Sequence, residues 1–165
     1  MSGEHPLPWK ALGLYCNEFR ALLLKLRSRP DQRSVQSLIQ LLSEIMPEDD
    51  NIELVPIPSW KQRHANPWPQ RICSNLQQPV RPLLHRCRAS AGQHHLRRDQ
   101  RLKNLKGTFR AEPAQAKSSP RPLLWLVDDI LTTGATALSA SAALKEAGHR
   151  VAGLICLART PNHRR

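Results

Sequence analysis

The sequence predicts an α/β protein in which a mainly parallel sheet is flanked by helices. Its strongest signals are short, continuous apolar runs of strand length at residues 123–127 and 151–158. Such runs are typical of parallel strands that are buried on both faces. Segments with helical spacing alternate with them, as in strand–helix–strand units. The chain has 165 residues, which is enough for one domain with a substantial core.

The chain is predicted to begin with two helices, over residues 9–27 and 34–46. In the second, six apolar residues recur at helical spacing, and Ser34 is the predicted N-terminal cap. We therefore divide the chain into an N-terminal helical segment, residues 1–50, and a ligand-binding core, residues 51–165. In the core, strands are predicted at 52–57, 83–88, 108–111, 123–128 and 151–158, and helices at about 69–78 and 135–147.

An acidic pair ends one of the predicted strands. Asp128 and Asp129 follow directly after the apolar run at 123–127. Open parallel sheets bind their ligands at the carboxyl ends of strands. Ionised carboxylates only accept hydrogen bonds, which suits them to sugar hydroxyls. The pair is therefore a predicted acceptor site for a sugar diol.

A loop of threonine and glycine residues follows the acidic pair and leads into the helix predicted at 135–147. Gly134 lets the backbone approach an anion closely, and a valine there is expected to block the anion while leaving the fold nearly intact. The helix start offers free N–H groups and a positive dipole end. Hydroxyl donors come from Thr132, Thr133 and Thr136. Together with the carboxylates, the loop predicts a site for ribose 5-phosphate.

Three other structures also place two aspartates after an apolar run. The magnesium-binding strand of a P-loop NTPase requires G-x-x-x-x-G-K-[ST] upstream, and none of the seven glycines opens that pattern. A receiver-type acidic pocket requires most of its fold after the aspartates, where little of the chain remains. A purely structural turn is the third alternative, which the specific run DDILTTGAT disfavours.

The stretch from Leu124 to Thr136 resembles, along its whole length, the motif with which type I phosphoribosyltransferases bind 5-phosphoribosyl 1-pyrophosphate (PRPP). The wider chain resembles the ComF family of this superfamily. That resemblance is carried by residues 55–58 (VPIP), 93–96, 101–109 (RLKNLKGTF) and 151–159. It implies a type I phosphoribosyltransferase-like fold over roughly residues 50–160.

The resemblance implies a function for each residue of the motif. The carboxylates would bind the ribose 2′- and 3′-hydroxyls, and the loop would bind the 5-phosphate. The implied reaction transfers the phosphoribosyl group to a nitrogenous acceptor such as a nucleobase and releases pyrophosphate. Mg²⁺ would accompany PRPP through substrate oxygens and water, so no protein metal site is expected. The implied PRPP-binding residues are Asp128, Asp129, Leu131, Thr132, Thr133, Gly134, Ala135 and Thr136.

Two further segments are predicted to meet the pyrophosphate. The loop after strand 52–57 matches the place of the family's pyrophosphate loop, and Lys61 and Arg63 are its candidate catalytic cations. The polar, basic residues 88–106 have no apolar period and are predicted to form a mobile lid. Arg97 and Arg101 are its candidate catalytic residues. For both segments, an ordinary solvated basic surface is the alternative.

Positive charge is concentrated in the middle of the chain. Residues 60–110 carry 12 basic residues and 1 acidic residue, a net charge of +11 out of +12 for the whole chain. Such a block is suited to a polyanion, either pyrophosphate or single-stranded nucleic acid. The alternative, again, is a solvated basic surface.

The four cysteines are scattered without a C-x-x-C pair, so neither a zinc site nor a disulfide framework is predicted. Buried free thiols are the expected state. Many ComF-like proteins begin with a four-cysteine zinc module, and this chain departs from them because it lacks that module.

Three functions remain open at this point. The first is an active phosphoribosyltransferase, for example in nucleotide salvage. The second is a PRPP- or nucleotide-binding protein without turnover. The third is a protein that handles single-stranded nucleic acid in DNA uptake, the competence process that the ComF name implies. Since no apolar run approaches the length of a membrane span, we expect a cytoplasmic protein without a membrane partner. The sequence is also compatible with a homodimer.

Overall fold

The computed structural model describes residues 1–49, 51–59, 66–87, 107–115 and 120–161. In chain order, its strands are β1 (Ser2–Gly3), β2 (Trp9–Leu14), β3 (Ile52–Pro56), β4 (Leu84–Arg86), β5 (Phe109–Ala111), β6 (Leu123–Val127), β7 (Ile130–Leu131) and β8 (Arg150–Arg159). Its helices are α1 (Asn17–Ser28), α2 (Gln32–Glu44), α3 (Trp68–Cys73) and α4 (Ala135–Glu146).

Six strands form the main sheet, in the order β1-β2-β8-β6-β3, with β7 also paired to β8. All neighbouring strands are parallel except β1, which is antiparallel to β2. Strands β4 and β5 form a separate antiparallel pair. This architecture confirms the predicted α/β class with a mainly parallel sheet. The carboxyl ends of β3, β6 and β8 meet at one edge, which we call the carboxyl edge.

Two hydrophobic cores cover the two faces of the main sheet. On one face, Leu124 and Leu126 of β6 pack with side chains of α4, β4 and β5. On the other face, Trp125 and Val127 pack with side chains of α1, α2 and α3. Successive residues of β6 therefore point to opposite cores, as the two-residue period of a strand requires.

The predicted helix over 9–27 is wrong in its first part. Residues 9–14 form β2, which pairs in parallel with β8 along most of its length. Trp9 and Ala11 are buried in the sheet, and the helix begins only at Asn17. The periodicity of a short apolar stretch does not distinguish a helix from a strand, and here the pairing with β8 makes it a strand.

The predicted cap of the second helix is also wrong by a few residues. Helix α2 begins at Gln32, and Asp31 is its cap. The N–H and hydroxyl of Ser34 donate to Asp31 Oδ2 over 2.9 and 2.5 Å. Because Asp31 accepts these bonds, the pKa of its carboxyl is lowered.

The other elements agree with the sequence to different degrees. Strands β3, β6 and β8 and helix α4 lie within two residues of their predicted bounds. Gly148, at φ 89°, follows the end of α4, as expected of a glycine stop. The helix predicted to reach residue 78 ends at Cys73, and β4 and β5 are shorter than predicted. Strands β1 and β7 were not predicted.

All four cysteines are free thiols, but only Cys73 and Cys156 are buried, whereas Cys87 is exposed and Cys16 is partly buried. Within the described ranges, no helix combines the length and the apolar character that a membrane span requires.

Candidate functional site at the carboxyl edge

The two aspartates after β6 diverge at the carboxyl edge. Leu126 belongs to the core under α4 and Val127 to the core under α1. Continued alternation directs Asp128 to the α4 face and Asp129 to the α1 face. Their contacts agree with this, because Asp129 forms an ion pair with Arg27 of α1.

Asp129 accepts hydrogen bonds at both carboxylate oxygens and at its backbone oxygen. Its Oδ1 accepts from the N–H of Ile130 over 2.8 Å, and its Oδ2 accepts from Arg27 Nη2. Its backbone oxygen accepts from the N–H groups of Leu157 and Ala158 over 3.0 and 3.1 Å. The residue is only 6% exposed, and both of its carboxylate oxygens already accept hydrogen bonds.

Asp128 is half-buried and less tightly held. Its N–H donates to the oxygen of Ile155 over 3.1 Å, and its Oδ1 accepts from the N–H of Asp129 over 2.9 Å. Burial, and next the charge of Asp129, raise the pKa of Asp128 well above its ordinary value, while Arg27 opposes the rise. Ionised Asp128 is therefore a costly charge that a donor or cation would stabilise.

The predicted phosphate loop joins β7 to α4. Thr132 and Thr133 are exposed, and Gly134 has φ 78°, which is in the left-handed region. The N–H of Ala135 donates to Thr133 Oγ1 over 3.4 Å. Regular helical bonding begins at Leu138, whose N–H donates to the oxygen of Gly134 over 2.8 Å. Earlier N–H groups of a helix have no acceptor within it, so this end of α4 is suited to an anion.

Arg159 orients the loop from the end of β8, and sequence reasoning did not single it out. It is 7% exposed, and its Nη1 donates to the backbone oxygens of Leu131, over 3.1 Å, and Thr132. The N–H of Thr160 adds a bond of 2.9 Å to the oxygen of Leu131. Burial lowers the pKa of Arg159. Arg159 thus fixes the orientation of the carbonyl groups at the start of the loop.

The N-terminal loop between β1 and β2 packs against the predicted phosphate loop. A Cβ atom on Gly134 would lie 2.0 Å from Cγ of Pro6. The neighbouring Leu7 is buried in the same core as α4. No local pattern predicts this contact, because it joins opposite ends of the chain.

Arg86 is a second cation that sequence reasoning missed. It lies at the end of β4, half-buried, with its guanidinium 5.0 Å from the ring centroid of Phe109. Its Nη1 donates to the oxygen of Pro58 over 3.4 Å. Burial lowers the pKa of Arg86, and the charge of Asp128 opposes that shift. Arg86 thus lies between the loop after β3 and the acidic pair.

The predicted catalytic residues Lys61, Arg63, Arg97 and Arg101 lie outside the described residues. The residues that flank the predicted lid are described, however. Cys87 donates its N–H to the oxygen of Thr108 over 2.9 Å. The described residues on either side of that segment, Cys87 and Thr108, are therefore hydrogen-bonded to each other, next to Arg86.

Sequence comparisons find relatives of one kind. The DNA utilization protein YhgH of Escherichia coli strain K12 is 34% identical over 119 residues, covering 65% of this chain and 49% of that protein. The protein of that name from Salmonella typhi is 30% identical over 182 aligned residues, covering 95% of this chain and 75% of the relative. The chain thus spans about half the length of the E. coli relative that it matches. No protein-family model matches the chain.

Among solved structures, the adenine phosphoribosyltransferase of Leishmania donovani aligns with a TM-score of 0.48 and 14% identity, over 89% of this chain and 70% of that one. The same enzyme from Leishmania tarentolae aligns with a TM-score of 0.43 and 15% identity, over 78% of this chain and 72% of that one. Likeness at this level carries no conclusion about the activity of this chain.

Proposed function

This chain belongs to the family of the DNA utilization protein YhgH, and from that premise we propose that its carboxyl edge binds PRPP and transfers the phosphoribosyl group to a nitrogenous acceptor. One observation carries the proposal. A carboxylate, Asp128, and the loop at Gly134 that begins α4 follow one another in a single strand–loop–helix unit, between β6 and α4. These are the groups that a ribose 5-phosphate requires.

Each part of PRPP has a counterpart at this edge. The 5-phosphate would lie at the start of α4, where N–H groups and the hydroxyls of Thr132 and Thr133 can donate. The ribose diol would donate to Asp128. The pyrophosphate would extend toward Arg86, with Lys61 and Arg63 as further cations proposed from the sequence.

We propose that a magnesium ion arrives with the substrate, as the resemblance to phosphoribosyltransferases implies. The described residues contain no group of three His, Cys, Asp or Glu side chains that could hold a metal ion. Mg²⁺ prefers hard oxygen ligands, and the phosphates of PRPP supply them. Mg²⁺ would then be held mainly by PRPP oxygens and water, and it would neutralise charge on the leaving group.

In the proposed reaction, an acceptor nitrogen attacks C1 of PRPP, and the bond from C1 to the pyrophosphate oxygen breaks with its electron pair going to the pyrophosphate. The proton of the acceptor nitrogen passes to water. The transition state resembles an oxocarbenium ion, as in glycosidases. The chain's own contribution is positioning by the phosphate loop and stabilisation of pyrophosphate charge by Arg86 and the predicted lid. A closed lid would also exclude water, which would otherwise hydrolyse PRPP.

A thermal-shift screen of Mg²⁺–PRPP, nucleobases and nucleotides tests this proposal. Ligands that bind the folded state should raise the melting temperature in proportion to the logarithm of their concentration. Release of pyrophosphate with one acceptor would then establish turnover. A shift without release would indicate binding alone, and the absence of any shift with Mg²⁺–PRPP would contradict the proposal.

A second function, handling of single-stranded nucleic acid, is favoured by the charge distribution and by the name of the relatives. Residues 60–110 carry a net charge of +11. Binding through phosphate contacts should weaken steeply as salt concentration rises. Both functions could use the same cationic segment, because pyrophosphate and nucleic acid are both polyanions.

Simultaneous replacement of Arg97, Arg98 and Arg101 by alanine is expected to separate these functions. If residues 88–106 form a lid, turnover should fall more than PRPP affinity, since the lid acts on developing charge. Hydrogen exchange of the segment should also slow in wild type when Mg²⁺–PRPP binds. If the segment binds nucleic acid, the variant should lose single-stranded DNA affinity and show a shallower salt slope.

The matched control removes three exposed charges elsewhere, at Arg29, Arg33 and Lys145. It should leave turnover and the salt slope close to wild type. If the lid variant behaves like this control in every assay, and exchange is unchanged by PRPP, residues 88–106 are an ordinary solvated surface.

A further inference from the structure

We propose that the two aspartates have different roles. Asp128 is the carboxylate that accepts hydrogen bonds from the ribose diol, and Asp129 forms an ion pair with Arg27 that positions Asp128. The inference rests on the proposed PRPP site and deepens it. It departs from the equal roles that the sequence motif implies. Arg27 lies on α1, in the part of the chain that sequence reasoning placed outside the ligand-binding core.

The two aspartates point to opposite faces of the sheet, which is the first argument for their different roles. The phosphate loop leads into α4, and α4 packs on the face to which Leu126 points. Asp128 shares that face by alternation. Asp129 points to the opposite core and ends under α1, where Arg27 meets it. A ribose held by its 5-phosphate at α4 therefore faces Asp128.

Occupancy of the carboxylate oxygens is the second ground. Asp129 already accepts from the N–H of Ile130 and from the guanidinium of Arg27, and its side chain is 8% exposed. The side chain of Arg27 is 40% exposed and lies on the solvent side of the pair. A sugar hydroxyl could reach Asp129 only if Arg27 moved away, which would leave a buried carboxylate without its counter-charge.

A direct bond connects the pair to Asp128. The N–H of Asp129 donates to Asp128 Oδ1 over 2.9 Å, so the orientation of one residue fixes the other. In the part of the chain that the structure describes, the charged groups that face Asp128 are Asp129, Arg27 and Arg86. The thiol of Cys156 also lies close enough to Asp128 to interact with its charge. Loss of the Arg27 charge should therefore raise the pKa of Asp128 further, since Arg27 now holds it down.

The first test needs no ligand. Asp129→Asn and Arg27→Gln should each lower the melting temperature at pH 7, by about 3 °C or more. The melting temperature of the double variant should be only slightly below that of the less stable single variant. Asp128→Asn should leave the melting temperature unchanged or raise it, because its pKa is raised and its ionised form is therefore costly at pH 7. A stable Asp129→Asn, or a large loss in Asp128→Asn, would overturn the proposed division.

The second test measures Mg²⁺–PRPP affinity as a function of pH. Asp128→Asn should lose the most affinity at pH 7, about tenfold or more. Arg27→Gln should lose less, and its loss of affinity in acid should begin at a higher pH, because ionised Asp128 accepts more strongly from the diol than the protonated acid does. Arg27→Lys should restore the wild-type pH profile. If Asp129→Asn loses as much affinity as Asp128→Asn while Arg27→Gln binds more tightly, Asp129 is a ligand group and the inference is wrong.

The two tests separate the inference from the proposed function. Absence of PRPP binding in wild type would contradict the proposed function. The stability measurements would still decide whether Asp129 and Arg27 form a positioning pair or whether Asp128 supports the fold in the same way.

Discussion

Replacement of Gly134 by valine is expected to displace the N-terminal loop and abolish binding of ribose 5-phosphate. Gly134 has φ 78°, a conformation that costs a branched residue about 1–3 kcal/mol. Its Cβ would also lie 2.0 Å from Cγ and 2.9 Å from Cδ of Pro6. The substitution thus does more than block an anion, and the sequence-based expectation that the fold stays nearly intact has to be revised.

Gly107 offers a matched control, because its φ is 77° and a Cβ atom on it would meet no atom of the described residues within 4 Å. Gly107→Ala and Gly134→Ala therefore place alanine at nearly the same positive φ, and only the second meets Pro6. Adding Pro6→Gly to Gly134→Ala should recover part of the lost melting temperature. A valine variant that unfolds like wild type and binds ribose 5-phosphate would show that this loop is not the phosphate site.

Replacement of Arg86 by leucine is expected to reduce turnover about 10²- to 10³-fold, the usual effect of removing one group that stabilises developing charge. Arg86 is held by Pro58 and Phe109 beside Asp128, so its cation is fixed in place before the reaction. Leucine preserves apolar volume against Phe109 but removes the charge. Affinity for ribose 5-phosphate, which has no pyrophosphate, should change much less.

Two variants control for packing and for general loss of charge. Arg86→Lys keeps the charge and should retain part of the turnover. Arg81→Leu removes an arginine from the segment that precedes β4, where Arg81 Nη1 lies 3.7 Å from Glu53 Oε1. This variant should leave turnover near wild type. Pyrophosphate release that is equal in Arg86→Leu and wild type would remove Arg86 from the proposed site.

The strand, acidic pair, loop and helix from β6 to α4 could be predicted because their signals are local. An apolar run, two carboxylates, a glycine and an alanine-rich helix follow one another without interruption. Gly134 has the left-handed backbone that suits glycine, and α4 ends before Gly148 as expected. Residues 9–14 gave no comparable signal, since their strand conformation depends on β8, which lies far along the chain.

The groups that surround the acidic pair could not be predicted for the same reason. Arg27 and Arg86 come from α1 and β4, and each reaches the carboxyl edge only through tertiary packing. A lone basic residue at the end of the long apolar run of β8 was the one available sign of Arg159. The burial of Asp129 was likewise hidden, because a strand end does not reveal which helix covers it.

A calorimetric titration of Mg²⁺–PRPP into wild type and Asp128→Asn at pH 7 tests the proposed PRPP site most directly. We expect saturable binding of one PRPP per chain in wild type. In the variant, which should unfold as cooperatively as wild type, affinity should fall about 10- to 100-fold, as for the loss of one charged hydrogen bond. Equal affinity in the two proteins, or no saturable binding to folded wild type, would contradict a PRPP site at the carboxyl edge.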